Sequence, residues 1–222
     1  MATKQKLLSQ NVVIVTQDVS TTMFNQYWFI HNGIFSPEEI LADSIFVPGL
    51  TNLSTQECNL IITPNQFQFN VKSDDSTTSC KCITERLMRI VEKVSGAGIQ
   101  MKAIGLNFIW KIFEENIGIP QFSKRLFYLP SSNLHQEFDV GNARFGTYAS
   151  KDFLQSRLKL DIKPVISDGR TGDPNEFILA SFNFHRDLTI DNSEQSTTEL
   201  LEQLKSWNLY YDESARLVCI LQ

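Results

Sequence analysis

The chain has 222 residues, of which 42% are hydrophobic, 11% aromatic and 20% charged. With 10 Gly and 7 Pro, this composition excludes collagen-like, coiled-coil and disordered chains. The formal net charge of -5 argues against a dedicated nucleic-acid binder, because such proteins are normally basic.

The N-terminus and the cysteines predict a location. Polar residues follow Leu7 and Leu8, so no signal peptide is predicted, and no apolar run approaches the ~20 residues that span a bilayer. We therefore expect a cytoplasmic protein with no membrane partner. The four cysteines include one C-x-C pair, Cys80 and Cys82, which is typical of reduced thiols and lacks the paired spacing of a zinc site.

β-branched and alternating stretches predict the strands of the first half. They cover residues 11–16, 44–47, 58–63, 66–71 and 101–113. The aromatic-rich run 22–30 fits a strand or a helix, and a strand is favoured. The dipeptide Pro64-Asn65 joins two of these strands as a hairpin. In the second strand of that hairpin, Phe67 and Phe69 alternate with polar residues, which predicts one buried face and one wet face.

Helices are predicted from caps and from apolar spacing. Ser36 to Glu39 has the pattern of a capping box with Pro at its first position, so a short helix is expected over 37–42. Apolar residues recur at helical spacing over 83–94, and Gly96 ends that helix. A second capping box, from Ser196 to Glu199, predicts a helix that runs through Trp207.

The second half is expected to begin near the junction 116–120. A strand is predicted over 144–149, and a long antiparallel pair over 153–166 and 176–188 with a polar tip at 167–175. The closing segment 212–221 fits a helix or a strand.

These elements predict an α+β fold with a mostly antiparallel sheet and packed helices. The order of hairpin, helix and apolar segment occurs twice, which suggests two pseudo-duplicated halves. We place them at residues 1–118 and 119–222, within one compact unit.

Three stretches carry a resemblance to a known family. They are the run 57–67, the strand Ile104-Gly-Leu-Asn-Phe-Ile109, and the closing long strand with its Leu-rich helix. In these the chain resembles a sporadically distributed family of uncharacterised bacterial proteins, a conserved protein of unknown function. Asn107 stands where that family favours a basic residue. The resemblance implies a fold, and it supplies no catalytic residues.

Two His-x-carboxylate units are the sharpest candidates for chemistry. His135 and Glu137 would share one face of an extended segment 135–139, and His185 and Asp187 would share a face at the end of a strand. Two imidazoles and a carboxylate are ligands suited to iron or zinc, so His135, Glu137 and His185 form a hypothetical metal site. The alternative is that both histidines are ordinary polar residues in a loop and at a strand end, and that the protein has no cofactor.

The remaining features indicate an interaction protein. No set of residues has the pattern of a known catalytic motif, whereas aromatic residues are abundant, and Trp207, Tyr210 and Tyr211 follow the Leu-rich helix as a candidate interface. We expect a cytosolic interaction or scaffold protein of the bacterial cell, binding a protein partner or self-associating as an oligomer. The alternatives are a metal-dependent enzyme and a nucleic-acid-binding module, although the basic helix face of Arg86, Arg89 and Lys93 is more typical of solvent exposure.

Overall fold

The computed structural model describes residues 3–115, 117–166, 176–190 and 192–221. Within them lie one nine-stranded antiparallel sheet, in the strand order β2-β3-β4-β5-β1-β6-β9-β8-β7, and seven α-helices. This confirms the α+β class. The strands are β1 (Lys4–Thr16), β2 (Ile45–Val47), β3 (Leu50–Ser54), β4 (Cys58–Thr63), β5 (Gln66–Val71), β6 (Met101–Phe113), β7 (Thr147–Phe153), β8 (Ser156–Ile166) and β9 (Glu176–Asp187).

The helices are α1 (Gln26–His31), α2 (Ser76–Cys82), α3 (Met88–Gly96), α4 (Ile119–Phe127), α5 (Asn133–Glu137), α6 (Ser193–Lys205) and α7 (Trp207–Ile220). A π-helical turn, Ile83–Leu87, joins α2 to α3, so the helix predicted over 83–94 is confirmed. In the described residues, no helix combines the length and the apolar composition needed to cross a membrane.

The elements repeat in the two halves. A long strand, β1 or β6, is followed by helical residues, by a meander that returns to lie beside the long strand, and by closing helices. The two long strands pair with each other in the middle of one continuous sheet. The boundary predicted at residues 118 and 119 falls after β6, whereas the repeat of elements begins with β6.

One face of the sheet is covered by helices. Inward side chains of the strands are apolar, and they contact aromatic residues of α7: Phe108 lies 4.8 Å from Trp207, and Phe184 lies 5.1 Å from Tyr210, between ring centroids. The indole of Trp110 donates a hydrogen bond to Ser214 of the same helix. Because side chains alternate along a strand, this burial leaves the middle of the other face to polar residues, while toward one end of that face Lys111 and Phe177 are buried against each other. We call this other face the uncovered face.

Two expectations for the first half are wrong. Residues 22–30, predicted as a strand, form part of a 3-10 helix and α1, because the side chain of Asn25 caps the helix by accepting a hydrogen bond from the backbone of Trp28. Residues 37–42 form turns and not a helix. The predicted cap contact is nevertheless present, since the backbone of Ser36 donates to Glu39.

In the second half, the helix predicted to start at Ser196 starts at Ser193, because Asn192 supplies the cap. Glu199 instead accepts hydrogen bonds from Thr189. The closing segment is the helix α7. The strand expected over 144–149 is β7, which starts at Thr147, and the predicted tip 167–175 lies outside the described residues.

A buried carboxylate, that of Glu213, forms an ion pair between α7 and the edge strand β7. Glu213 accepts hydrogen bonds from Arg216 on the same helix and from Lys151 on β7, at 2.7 and 2.6 Å. These two cations lower the pKa of Glu213 from 4.5 to about 2, with the hydrogen bond from Arg216 as the largest cause.

The free energy of unfolding should therefore fall in acid because of Glu213. Its folded-state pKa lies below its unfolded-state value, so its contribution is present above pH 4.5 and is lost as the pH falls toward 2. We expect Glu213→Gln to lower stability by about 2–3 kcal/mol at pH 7 and to differ little from the wild type near pH 2. Urea denaturation across pH measures this, and Glu92→Gln, at an exposed helix position, should show no such convergence.

Gly146 precedes β7 at a point where the backbones approach closely. A Cβ built there would lie 2.3 Å from the carbonyl oxygen of Ile162, which is too close for any side chain. We expect Gly146→Ala to destabilise the protein by about 1–3 kcal/mol, because the clash is with backbone. Gly141→Ala, where a Cβ meets nothing within 4 Å, is the matched control, and equal melting temperatures for both variants would refute this account.

Candidate functional site

Asparagines line up across the uncovered face of the sheet. On five neighbouring strands, in the order β4, β5, β1, β6 and β9, the same register position holds an asparagine. We call these residues the asparagine row: Asn59, Asn70, Asn11, Asn107 and Asn183. All five are half-buried. Asparagine is depleted in β-strands, so strand propensity does not explain its recurrence at one register position.

Hydrogen bonds between side chains hold the row in place. The amide of Asn107 donates to Asn11 at 2.9 Å and accepts from Asn183 at 2.6 Å. In the other part of the row, Asn70 donates to Asn59 at 3.2 Å and accepts from Gln68 at 2.8 Å. The two parts meet where Asn70 and Asn11 are paired.

The row keeps hydrogen-bonding capacity for a ligand. A primary amide has two donor hydrogens and an oxygen with two lone pairs. The contact between Asn107 and Asn183, for example, uses one of the two donor hydrogens of Asn183. Because the side chains already constrain one another, a ligand that bonds to them meets groups with little rotamer freedom left to lose.

A glycine beside the row accommodates one of its amides. Gly105 of β6 faces the same side, one position along from Asn107, and is paired with Val13 and His185. A Cβ at Gly105 would lie 3.2 Å from the Nδ2 atom of Asn183, so the glycine gives that amide room to lie over β6. Glycine within a strand commonly marks such a close approach.

Strand β8 adds positive charge at one end of the row. Lys159 is paired with Asn183 and is exposed, and Arg157 and Lys163 lie on the same face of that strand. Arg157 forms an ion pair with Asp152 at 2.9 Å, and Lys163 forms one with Asp161 at 3.2 Å. Exposed pairs of this kind contribute at most about 1 kcal/mol, so these cations can exchange their carboxylate for another anion.

The hypothetical metal ligands lie in different surroundings. His135 is in the helix α5, capped by Ser132, so the segment expected to be extended is not. Its ring accepts a hydrogen bond from the backbone of Leu129 and stacks on Tyr128. His185 is on β9, 3.2 Å from Asp187. Glu137 ends α5, and the structure places no group of three His, Cys, Asp or Glu side chains close enough for a metal ion within the residues it describes.

The three residues of the predicted interface belong to the covered side of the sheet. Trp207 is fully buried, Tyr210 is 2% exposed, and Tyr211 is half-buried against Phe108 and Trp110. Burial raises the pKa of Tyr210. Its hydroxyl lies 3.2 Å from the hydroxyl of Ser156, which also receives a hydrogen bond from Gln203. These contacts are those of a core, so Trp207 and Tyr210 are not available to a partner.

The basic helix residues are also engaged within the fold. Arg86 donates to the backbone carbonyl of Ile34 and pairs with Glu39 at 2.6 Å. Arg89 donates to the carbonyl of Gly33 at 2.9 Å. Arg86 and Arg89 therefore connect the helical segment 83–96 to the residues that follow α1.

The cysteines are free thiols. Cys58 and Cys82 are buried beside each other, and the hydrogen bond between them lowers the pKa of Cys58 and raises that of Cys82.

Comparison with known proteins gives a likeness among solved structures alone. No protein-family model and no curated protein matches the chain. Among solved structures, it is similar to the rolling circle replication initiator protein from Geobacillus stearothermophilus, at 8% identity and a TM-score of 0.34. The match covers 92% of this chain and 80% of that one.

The prediction of an interaction or scaffold protein is wrong. The aromatic residues on which the prediction relied lie in or against the core.

Sequence reasoning missed the asparagine row. Its one available signal was that the outward positions of strands with alternating pattern, such as Asn70 and Asn183, hold asparagine. That these positions coincide in register depends on pairing between distant segments, such as Asn11 and Asn107, which no local pattern encodes.

The row should contribute only modestly to stability. Asn107→Val removes its hydrogen bonds to Asn11 and Asn183, but valine favours strands, and the half-buried partners can bond to water. We expect a loss of no more than about 1 kcal/mol in urea denaturation. A loss of several kcal/mol would show that the row is mainly a structural element.

Proposed function

We propose that the protein binds nucleic acid on the uncovered face of its sheet, with the asparagine row as the contact surface. The observation that carries this proposal is the alignment of five asparagines across five strands. Asparagine is one of the side chains with which proteins read base edges in the minor groove, since its amide donates and accepts hydrogen bonds.

The shape of the row suits a linear polymer. Neighbouring strands lie about 4.8 Å apart, so five asparagines span about 19 Å in a nearly straight line across the strands. A duplex has a base pair about every 3.4 Å, and the row therefore matches about five to six base pairs.

The local charge supports the proposal where the net charge does not. Within the five strands, the row and the outward positions beside it hold only neutral or basic side chains among the described residues. The outward positions beside the row are Ser9, Val13, Ile61, Gln68, Gly105, Ile109, Ser181 and His185. Next to them on β8, Arg157, Lys159 and Lys163 are in position to contact phosphates, and Asp161 lies on the same side of that strand.

Fluorescence anisotropy with labelled oligonucleotides tests the proposal. We expect wild-type protein to bind with a Kd on the order of micromolar at low salt, and Asn107→Val/Asn183→Val to weaken binding about tenfold or more, because two amides are lost. Asn208→Ala removes an exposed amide from α7, on the covered side, and should leave Kd unchanged. Absence of binding to any oligonucleotide at low salt, or equal Kd values for the double variant and the wild type, would falsify the proposal.

A lysine variant separates phosphate contact from amide contact. Lys159→Ala should weaken binding to all sequences alike and reduce the slope of log K against log salt by about one. Lys93→Ala, an exposed lysine on α3, is the control that should keep the wild-type slope. An unchanged slope for Lys159→Ala would place the phosphates elsewhere on the protein.

A further inference from the structure

The uncovered face is broad, and it is built for hydrogen bonding more than for stacking. Proteins that hold single strands stack the bases on exposed aromatic rings. In the described part of the five strands, the row and the outward positions beside it hold no phenyl, phenol or indole ring, and His185 is their one ring. Phe69 and Phe182 point to the covered side and are buried. Phe113 and Phe177 lie on the side of the row, but near the far end of their strands, where Phe177 is buried and Phe113 half-buried.

The exposed ring on this side of the sheet is Tyr148, which is paired with Asp161 on the edge strand β7, two strands away from Asn183. Within the described part of the five strands, a single strand would therefore find no row of stacking rings.

An undistorted B-form duplex does not fit the face either. The minor groove of B-DNA is about 6 Å wide and 7.5 Å deep, and the major groove admits one helix or a two-stranded ribbon. Asparagine side chains standing on a sheet five strands wide are too short to reach the floor of such a groove. Proteins that open the minor groove insert apolar wedges between bases, and the apolar outward residues beside the row, such as Val13 and Ile109, are half-buried within the sheet surface.

An A-form duplex presents the matching surface. Its minor groove is wide and shallow, and it displays 2′-hydroxyl groups together with base edges. A 2′-hydroxyl both donates and accepts a hydrogen bond, as the amides of the asparagine row do. The cations of β8 add a phosphate contact at the same face.

We infer that the ligand of the asparagine row is the minor groove of an A-form duplex, namely double-stranded RNA. This inference rests on the proposed function, which it narrows to one class of nucleic acid. Recognition then depends on groove shape and 2′-hydroxyl groups, and only weakly on sequence.

Anisotropy titrations with one sequence in four forms test the inference: double-stranded RNA, double-stranded DNA, single-stranded RNA, and double-stranded RNA with 2′-O-methyl groups on both strands. We expect double-stranded RNA to bind about tenfold more tightly than double-stranded DNA or the single strand. The methylated duplex keeps the A-form but lacks the hydroxyl donor, so its Kd should rise about threefold or more. Asn107→Val/Asn183→Val should reduce the preference for the unmodified RNA duplex, and Asn208→Ala should not.

The outcomes distinguish this inference from the proposed function. Equal or tighter binding of double-stranded DNA or single-stranded RNA, still weakened by Asn107→Val/Asn183→Val, overturns the A-form ligand and leaves nucleic-acid binding by the row in place. Binding of none of the four forms overturns both. A preference for the RNA duplex that the double variant retains in full overturns the role of the row.

Discussion

The antiparallel pairing of β1 with β6 fixes the faces of the whole sheet. The two strands are 13 residues each, and their register sets Asn11 beside Asn107 and Val12 beside Leu106. Because side chains alternate, a slip of one residue would turn the apolar set to solvent and the amides toward the helices. An irregularity between Leu7 and Ser9 takes up one extra residue, and Leu7 remains buried. Every other strand is added outward from this central pair.

The covered face of the sheet supplies the apolar packing that stabilises the fold, and the uncovered face carries the proposed binding surface. On the covered face, Phe108, Phe184 and Trp207 are removed from water, and burying an aromatic side chain contributes about 1.5–3 kcal/mol. Because the covered face provides this stabilisation, the uncovered face can hold asparagines, which have a low propensity for β-strands. Loss of an amide from the row is then expected to affect binding more than folding.

The parts of the fold that can be predicted from the sequence are those formed by segments that lie close together along the chain. Alternation over a few residues predicted the hairpin of β4 and β5 and the long pair of β8 and β9, since both rely on neighbouring segments. The prediction for residues 22–30 is wrong because it relied on their aromatic content, which favours a strand. The cap at Asn25 and the burial of Phe24 and Phe29 in the core favour the observed helical turns. The resemblance to a family drew attention to Asn107 only as a departure from a basic residue.

Net charge and local charge lead to different conclusions about the ligand. The value of -5 sums over the whole chain, and it includes carboxylates such as Glu213 and Glu114, which are paired with arginines and buried. A polyanion approaching the sheet meets the neutral asparagine row first and the cations of β8 at one end. With few phosphate contacts, counterion release supplies little of the affinity, so binding should depend less on salt than it does for a basic protein. Selectivity must then come from hydrogen bonding and groove shape, which is why the form of the duplex matters more for this face than its sequence.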